Sequence, residues 1–547
     1  MRTHKLYFAI LSLLISVGIL FSSCLDENAR DQIPEEKTQE SLQSLYLNYV
    51  ASLYTYIGGY EKSQGLQGTD RGVYDFNTLT SDEAIMPVRG GDWYDGGFWK
   101  NLYLHTWGVN DRSIKAMWEY LYKVVILSNK SIEVLEKNKA KFDEQELDQY
   151  IAEVRAFRGI YYYYLLDLYA RIPITTSSTM PIKDLNQAER SEVFNFIINE
   201  LDEALPLLSE SHSNKFGDYY GRVTKPVVYF VLAKMYLNAE VYMDDDWTDS
   251  NRPEGSSMNF EIGDKTYNAW EATIYYCDLI SQLGYRLSDR YEDNFEVFNE
   301  SSVENIFIIP MDKRSYTNQM IYLFRSLHYN HAQAYGMSGE NGTSATIDAL
   351  KIFGYDTDMV DPRFDKNYYS GIVYNLEGEV VKTDLGKTLE YLPWKVQLDL
   401  SDLPPLYQKM AGARMKKYAI DKTNIKDGKL IDNDIVLFRY ADVLLMKSEA
   451  KVRNGQDGSS ELNQVRRRVG APERVATLET ILDERLLELA WEAWRRQDLI
   501  RFDKFHKTYD QRPQLIGEES RYTIVFPIPK SIIELNLNLT QNSGYGK

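Results

Sequence analysis

Cysteine is almost missing: two residues in a chain of 547, Cys24 and Cys277, rule out a disulfide framework. Histidine is nearly as scarce, with six copies and no HExxH, so the two-imidazole helix face of a zinc peptidase is not present. His328 and His331 stand three apart, but no third ligand lies in register, and the spacing reads as a surface pair. No GxSxG elbow occurs. Gly386-Lys387-Thr388 ends like a phosphate loop, yet Val381 occupies the place of its first glycine. Basic residues are outnumbered by acids, 62 to 80, for a net charge of −18, which argues against the cationic footprint that nucleic acid demands. Long apolar runs are confined to the first two dozen residues.

What the chain does have is tyrosine: 42 residues, with nine tryptophans beside them. Such rings pack between helices, and they also stack on ligands while tolerating water at their polar edges. The front end carries Arg2 and Lys5, then a mostly apolar stretch from Leu6 to Phe21, too short for a confident membrane span and typical of a secretory leader over 1–23. Loss of that leader takes two positive charges with it and leaves −20. Phe21-Ser22-Ser23-Cys24 resembles a lipobox, in which Cys24 becomes the lipidated first residue and the membrane anchor. Residues 24–40 read as a flexible, polar tether, and Cys277, inside a helical pattern, reads as a small buried apolar group.

Helical periodicity recurs over 41–57, 110–138, 143–168, 191–208, 224–238, 269–283, 434–453 and 460–468. It is lost between 286 and 430, where Tyr, Gly, Asp and Asn dominate, and an interval of that length inside a compact body is usually functional. From Ile481 to Phe505 the spacing predicts one amphipathic helix: Leu482, Leu486, Leu489, Ala493 and Ile500 on one side, Arg485, Glu488, Glu492, Arg495 and Arg496 on another. Glu492 and Arg496 stand in the favourable order for an i,i+4 pair, about 0.3–0.5 kcal/mol if exposed.

The run ERLLELAWEAWRRQDLIRF resembles the C-terminal signature of the SusD/RagB family of outer-membrane nutrient-binding lipoproteins. LFRYADVLLMKSEAKVRNG, LNQVRRRVGAP, FPIPKSIIELNLNLTQNSGY and EVRAFRGIYYYYLLDLYARIPI resemble further family segments. The family usually has a smaller side chain where Trp491 or Ala493 stands. The resemblance implies a mainly α fold: a tetratricopeptide-like helix-pair scaffold with a large irregular, loop-rich insertion. It divides the mature chain into a helical half over 41–285 with a loop at 58–108, an irregular ligand-facing region over 286–430, and a C-terminal helical segment over 431–547.

It also implies a function. A surface-exposed lipoprotein of the outer membrane captures an oligosaccharide and hands it to a SusC-like, TonB-dependent transporter, without chemistry or cofactor. The candidate binding residues come from the loops themselves. Gly90, Gly91, Gly96 and Gly97 flank Asp92, Trp93, Tyr94 and Asp95, so large rings sit on backbone outside regular helix or strand, either plugging the loop or facing a ligand. Arg89, Asp92, Trp93 and Tyr94 from this loop, with Tyr329 and Tyr335 from the irregular region, form the expected glycan site. Two rival readings stay open. The ligand is a peptide, as the RagB side of the family suggests, or paired carboxylates among Asp82, Glu83, Asp92 and Asp95 hydrolyse glycosides.

Overall fold

The computed structural model describes residues 37–58, 65–67, 71–249, 251–315 and 321–546. The predicted leader, Cys24, the tether as far as residue 36 and Tyr316 lie outside them. The chain parts into two compact units, 1–48 and 49–547. In the first, a short helix, Leu42–Tyr46, starts where the Ser41 hydroxyl accepts the Ser44 amide. Everything below concerns the second.

Its scaffold is a succession of packed helices: α1 Arg112–Asn138, α2 Glu144–Tyr169, α3 Arg190–Ala204, α4 Lys225–Leu237, α5 Ala269–Gln282, α6 Tyr440–Arg453, α7 Ser459–Arg468, α8 Leu478–Leu489 and α9 Arg495–Arg501. Short polar side chains fix where several begin. Asp111 accepts the Ser113 and Ile114 amides at the start of α1, and Asp143 accepts Glu146 at the start of α2. Asn268 and Glu271 close a capping box on α5. α2 lies between α1 and α3, so its Tyr161–Tyr164 run is buried on every side, each ring contributing about 1.5–3 kcal/mol of burial. α5 bridges α4 and α6, and α6 in turn carries α7 and α8. Cys277 is buried in α5, and burial pushes its thiol pKa up. Among the described residues no helix is long and apolar enough to cross a membrane.

The irregular region, 286–430, is joined to this scaffold by an antiparallel ladder, among other contacts. β1, Asn305–Ile309, pairs with β2, Ile435–Arg439, through Ile435↔Ile309 and Val436↔Ile308, with both strands wholly buried. Residues 435–439 were expected to start a helix. Five consecutive β-branched, apolar or long side chains with a strand partner available make a buried strand instead, and the helix begins at Tyr440.

The single helix expected over 481–505 is two helices. α8 ends at Leu489, Trp491 and Ala493 take left-handed φ angles of 67° and 63°, and α9 starts at Arg495. Left-handed backbone costs about 1–2 kcal/mol per residue with a side chain present. The charged residues are not a solvent-facing stripe either. Glu492 does not meet Arg496: it pairs with Lys417 and Arg439, while Arg496 pairs with Asp167 of α2. Arg485 pairs with Asp442 and Asp498, Arg495 with Asp82, and Arg501 with Glu449, all in the interior. At the centre Glu488 accepts from Arg363 at 2.9 Å, from Arg439 at 2.6 Å and from Arg468. The Asp361-Pro362-Arg363 turn therefore feeds this network, with both Asp361 oxygens on Arg363.

Candidate functional site

Two distant stretches of chain build the candidate face. The first is the loop after Ile85. Val88 is tied to the 398–400 strand-like segment, donating to Leu398 O at 3.1 Å and accepting from Leu400 at 2.8 Å. Arg89 and Asp92 then exchange two backbone hydrogen bonds, 3.0 and 3.2 Å, across Gly90-Gly91, a two-residue hairpin. Gly90 is favoured by its φ of +66°, and an added Cβ would also stand 2.6 Å from the tip of the Gln408 side chain, which would have to move. Trp93 and Asp95 follow with φ of 64° and 42°, uncommon backbone for residues with side chains, and this turns successive rings to opposite sides.

Trp93 turns inward. Its indole N–H donates to Glu340 O at 3.0 Å, its ring meets Trp99 edge to face at 5.9 Å, and Gly342 leaves room for it. Tyr94 turns outward and is 61% exposed. The glycine-rich loop thus does both things its sequence allowed: one ring plugs it into the body, and the next faces solvent.

The second stretch is the short helix Tyr329–Ala334 and the segment after it. The His328 ring caps this helix by accepting the Asn330 amide at 3.1 Å. Tyr329, 38% exposed, donates its hydroxyl to Asp92 Oδ2 at 3.0 Å and so joins the two stretches. Burial and then the Asp92 carboxylate raise the Tyr329 phenol to about 12, so it stays a donor at physiological pH. Tyr335 is half-buried against Tyr369 and His331, with its hydroxyl on Tyr374 O at 3.3 Å, and Tyr374 itself is exposed.

Beneath lies a buried layer that the sequence reading did not anticipate. Arg89, expected among the ligand-facing residues, points into the protein: its guanidinium donates to Gln408 O at 2.6 Å, Ser344 Oγ at 2.9 Å and Gly342 O at 3.1 Å. It supports the loop from below. Arg414 shares Ser344 Oγ and lies over the Tyr391 ring at 5.0 Å. Burial, and for Arg89 the neighbouring Arg414 as well, lowers both guanidinium pKa values. His328 and His331 are not a surface pair but part of this layer. Tyr391 Oη accepts the His328 amide at 3.0 Å and pairs with His331 Nδ1 at 2.9 Å. Burial, then nearby Arg414 for His328 and His328 itself for His331, holds both imidazoles down at about 3, hence neutral.

The carboxylates divide in the same way. Asp82 is wholly buried between Arg495 and Lys507, and Glu83 is buried with an oxygen on the Trp491 amide, so neither faces Asp92 or Asp95 at the surface. Asp95 accepts from Trp99 Nε1 at 2.7 Å and Arg71 at 2.6 Å. Among the described residues His105, His506 and Glu518 converge closely enough to hold a metal ion. Arg512, however, donates to both His105 Nδ1 and Glu518, and a guanidinium already fills the place of a cation.

What this face offers is exposed phenol rings, Tyr94, Tyr329 and Tyr374, with the exposed carboxylates Asp92 and Asp95, over a floor of buried arginine, histidine and tyrosine. Rings present C–H-complementary faces and hydroxyl edges, which suits an uncharged, hydroxyl-rich ligand.

Comparison with known proteins bears on the whole chain. Residues 303–545 match the family model described as the SusD family, and residues 70–237 match one described as starch-binding, associating with the outer membrane. The starch-binding protein SusD of Bacteroides thetaiotaomicron is 25% identical, over 99% of this chain and 98% of its own length. Among solved structures, a SusD-like protein from Bacteroides fragilis superposes with a TM-score of 0.71 at 19% identity, covering 93% of this chain and 98% of that one. A laminarin-binding SusD-like protein gives 0.67 at 20% identity, covering 92% and 99%. Matches from end to end, to both halves of the fold and in the order the sequence segments predicted, make this chain a member of the SusD-like family.

Proposed function

We propose that this protein binds oligosaccharide on the face formed by Asp92, Tyr94, Tyr329 and Tyr335, with Arg89 and the inward Trp93 as positioning residues beneath. The observation that carries this reading is the Tyr329–Asp92 hydrogen bond, which fixes exposed rings from two remote segments into one surface. Family membership and the binding named for its relatives, starch and laminarin, support the ligand class. The rings stack on sugar C–H faces, the Asp92 carboxylate accepts hydroxyls, and no bond is broken: Asp82 and Glu83 are committed to the interior, and Asp95 is held by Trp99 and Arg71. The protein associates with the outer membrane through acylated Cys24, is displayed on the cell surface, and delivers its ligand to a SusC-like, TonB-dependent transporter. Mass spectrometry of the mature N-terminus tests the anchor, since a diacylglyceryl-Cys24 is expected and an unmodified leader contradicts it.

Calorimetric titration with a panel of oligosaccharides, starch and laminarin fragments among them, tests the binding. Each stacked ring contributes about 1 kcal/mol, so the pair Tyr94→Ala and Tyr329→Ala weakens binding by about 30-fold. Unchanged affinity in that variant removes the proposed site.

A further inference from the structure

A second recess is walled in part by the loop 421–432. Its volume is about 760 Å³, within the range of ligand sites. Phe216 and Phe298 border it at 74% and 65% exposure, and Ile425 is exposed as well. Single exposed apolar side chains are ordinary, but two open phenyl rings bordering one recess are a built feature. Phe216 is tilted on Tyr220, with centroids 4.9 Å apart, which extends the aromatic wall. Tyr220 is held in turn by Asp434, whose Oδ2 accepts its hydroxyl at 2.6 Å while Oδ1 accepts the Met311 amide at 2.8 Å.

The recess carries both signs of charge, with Glu300 and Arg314 lining it beside Asp312, Lys313 and Asp432. The Lys313 ammonium is engaged by Asp432 at 2.6 Å and Asp421 at 3.1 Å, and Asp312 accepts the amides of Arg314 and Ser315. An anion drawn to Lys313 would have to displace these pairs. A neutral ligand with apolar faces and hydroxyl edges would not. Nearby strands offer a peptide little to extend, since β1 and β2 are wholly buried.

The loop 421–432 also ties the recess to the first face. Thr423, Ile425 and Asp432 line the recess, while Asp427 O accepts the Ser338 amide at 2.7 Å and Gly428 packs on Met337, in the segment that follows Tyr329 and Tyr335. From these positions we propose that the recess between Phe216 and Phe298 is a second oligosaccharide contact, which grips a polymeric glycan whose neighbouring stretch lies on the Tyr94–Tyr329 face. This rests on the proposed function and adds to it. Two linked contacts on one chain raise affinity for polymer over fragment without any stronger single contact.

The test compares binding of the full-length protein to immobilised starch, laminarin and a wider polysaccharide panel with titration of their short soluble fragments. Both phenyl rings are exposed, so Phe216→Ala with Phe298→Ala leaves the fold intact, which circular dichroism checks. The expected result is a polymer affinity at least about 10-fold above that of the fragments in the parent. The double variant loses that gain and keeps fragment affinity within two-fold, whereas the Tyr94→Ala, Tyr329→Ala variant loses fragment binding. A parent that binds polymer with the double variant unchanged overturns the second contact alone. A parent that binds no polysaccharide overturns the proposed function and this inference with it. Loss in the double variant of binding to immobilised casein peptides, instead of to glycan, overturns it in favour of a peptide groove.

Discussion

Glu488 receives three guanidinium groups in the protein interior, and its energetics follow from that number. Burial alone would raise its pKa, but Arg468, Arg439 and Arg363 outweigh burial and hold it well below the usual carboxylate range. Removing one partner of a buried ionic group costs about 3–5 kcal/mol, because the partners keep their charge and lose its compensation. Glu488→Gln is expected to lose that much stability in urea unfolding, and a loss below about 1 kcal/mol would mark the network as solvent-screened. Glu83 is the opposite case. Burial pushes its carboxyl from 4.5 up to about 8, against the Trp491 amide, Lys417 and Arg495. The folded protein keeps this proton to about pH 8, whereas the unfolded chain releases it near 4.5. Stability tied to the proton is therefore fully present below pH 4.5 and is lost as pH rises through about 8. An amide does not titrate, so the stability of Glu83→Gln relative to the parent should climb between pH 5 and pH 9 in thermal melts. A gap that is flat with pH contradicts the assignment.

At the scale of elements, the break between α8 and α9 gives the sharpest test. Ala493→Gly at a φ of 63° relieves about 1–2 kcal/mol of left-handed strain. It gives up about 0.8 kcal/mol of methyl burial and about 0.4–1 kcal/mol of unfolded-chain entropy. Denaturation should place the variant within about 0.5 kcal/mol of the parent, where the interior of a continuous helix would lose about 1–2 kcal/mol. The sequence pattern missed this break because Leu482, Leu486, Leu489, Ala493 and Ile500 keep helical spacing across it. It missed the depth of the charges for a related reason: their partners Asp82, Asp167, Arg363, Lys417 and Arg439 come from well outside the segment. Helix starts were legible because Asp111, Asp143 and Asn268 act on amides two or three residues away. β2 was not, because its partner strand lies more than a hundred residues upstream.

Across the whole molecule the same distinction governs the binding face. The Gly90-Gly91 hairpin and the outward Tyr94 are local consequences of the loop sequence. The inward turn of Arg89 and the pairing of Asp92 with Tyr329, 237 positions away, arise only when the irregular region folds back onto that loop. The segments that resemble the SusD/RagB family lie in the scaffold and its ionic core, which explains why they identify the fold while carrying no ring of the candidate face. The central claim is that rings from these two remote segments together hold an intact sugar chain. A crystal structure of the protein soaked with an oligosaccharide from the titration panel tests it most directly. The account predicts an unbroken sugar chain stacked between Tyr94 and Tyr329 with a hydroxyl on Asp92. Sugar found only elsewhere on the surface, or cleaved in the crystal, would contradict it.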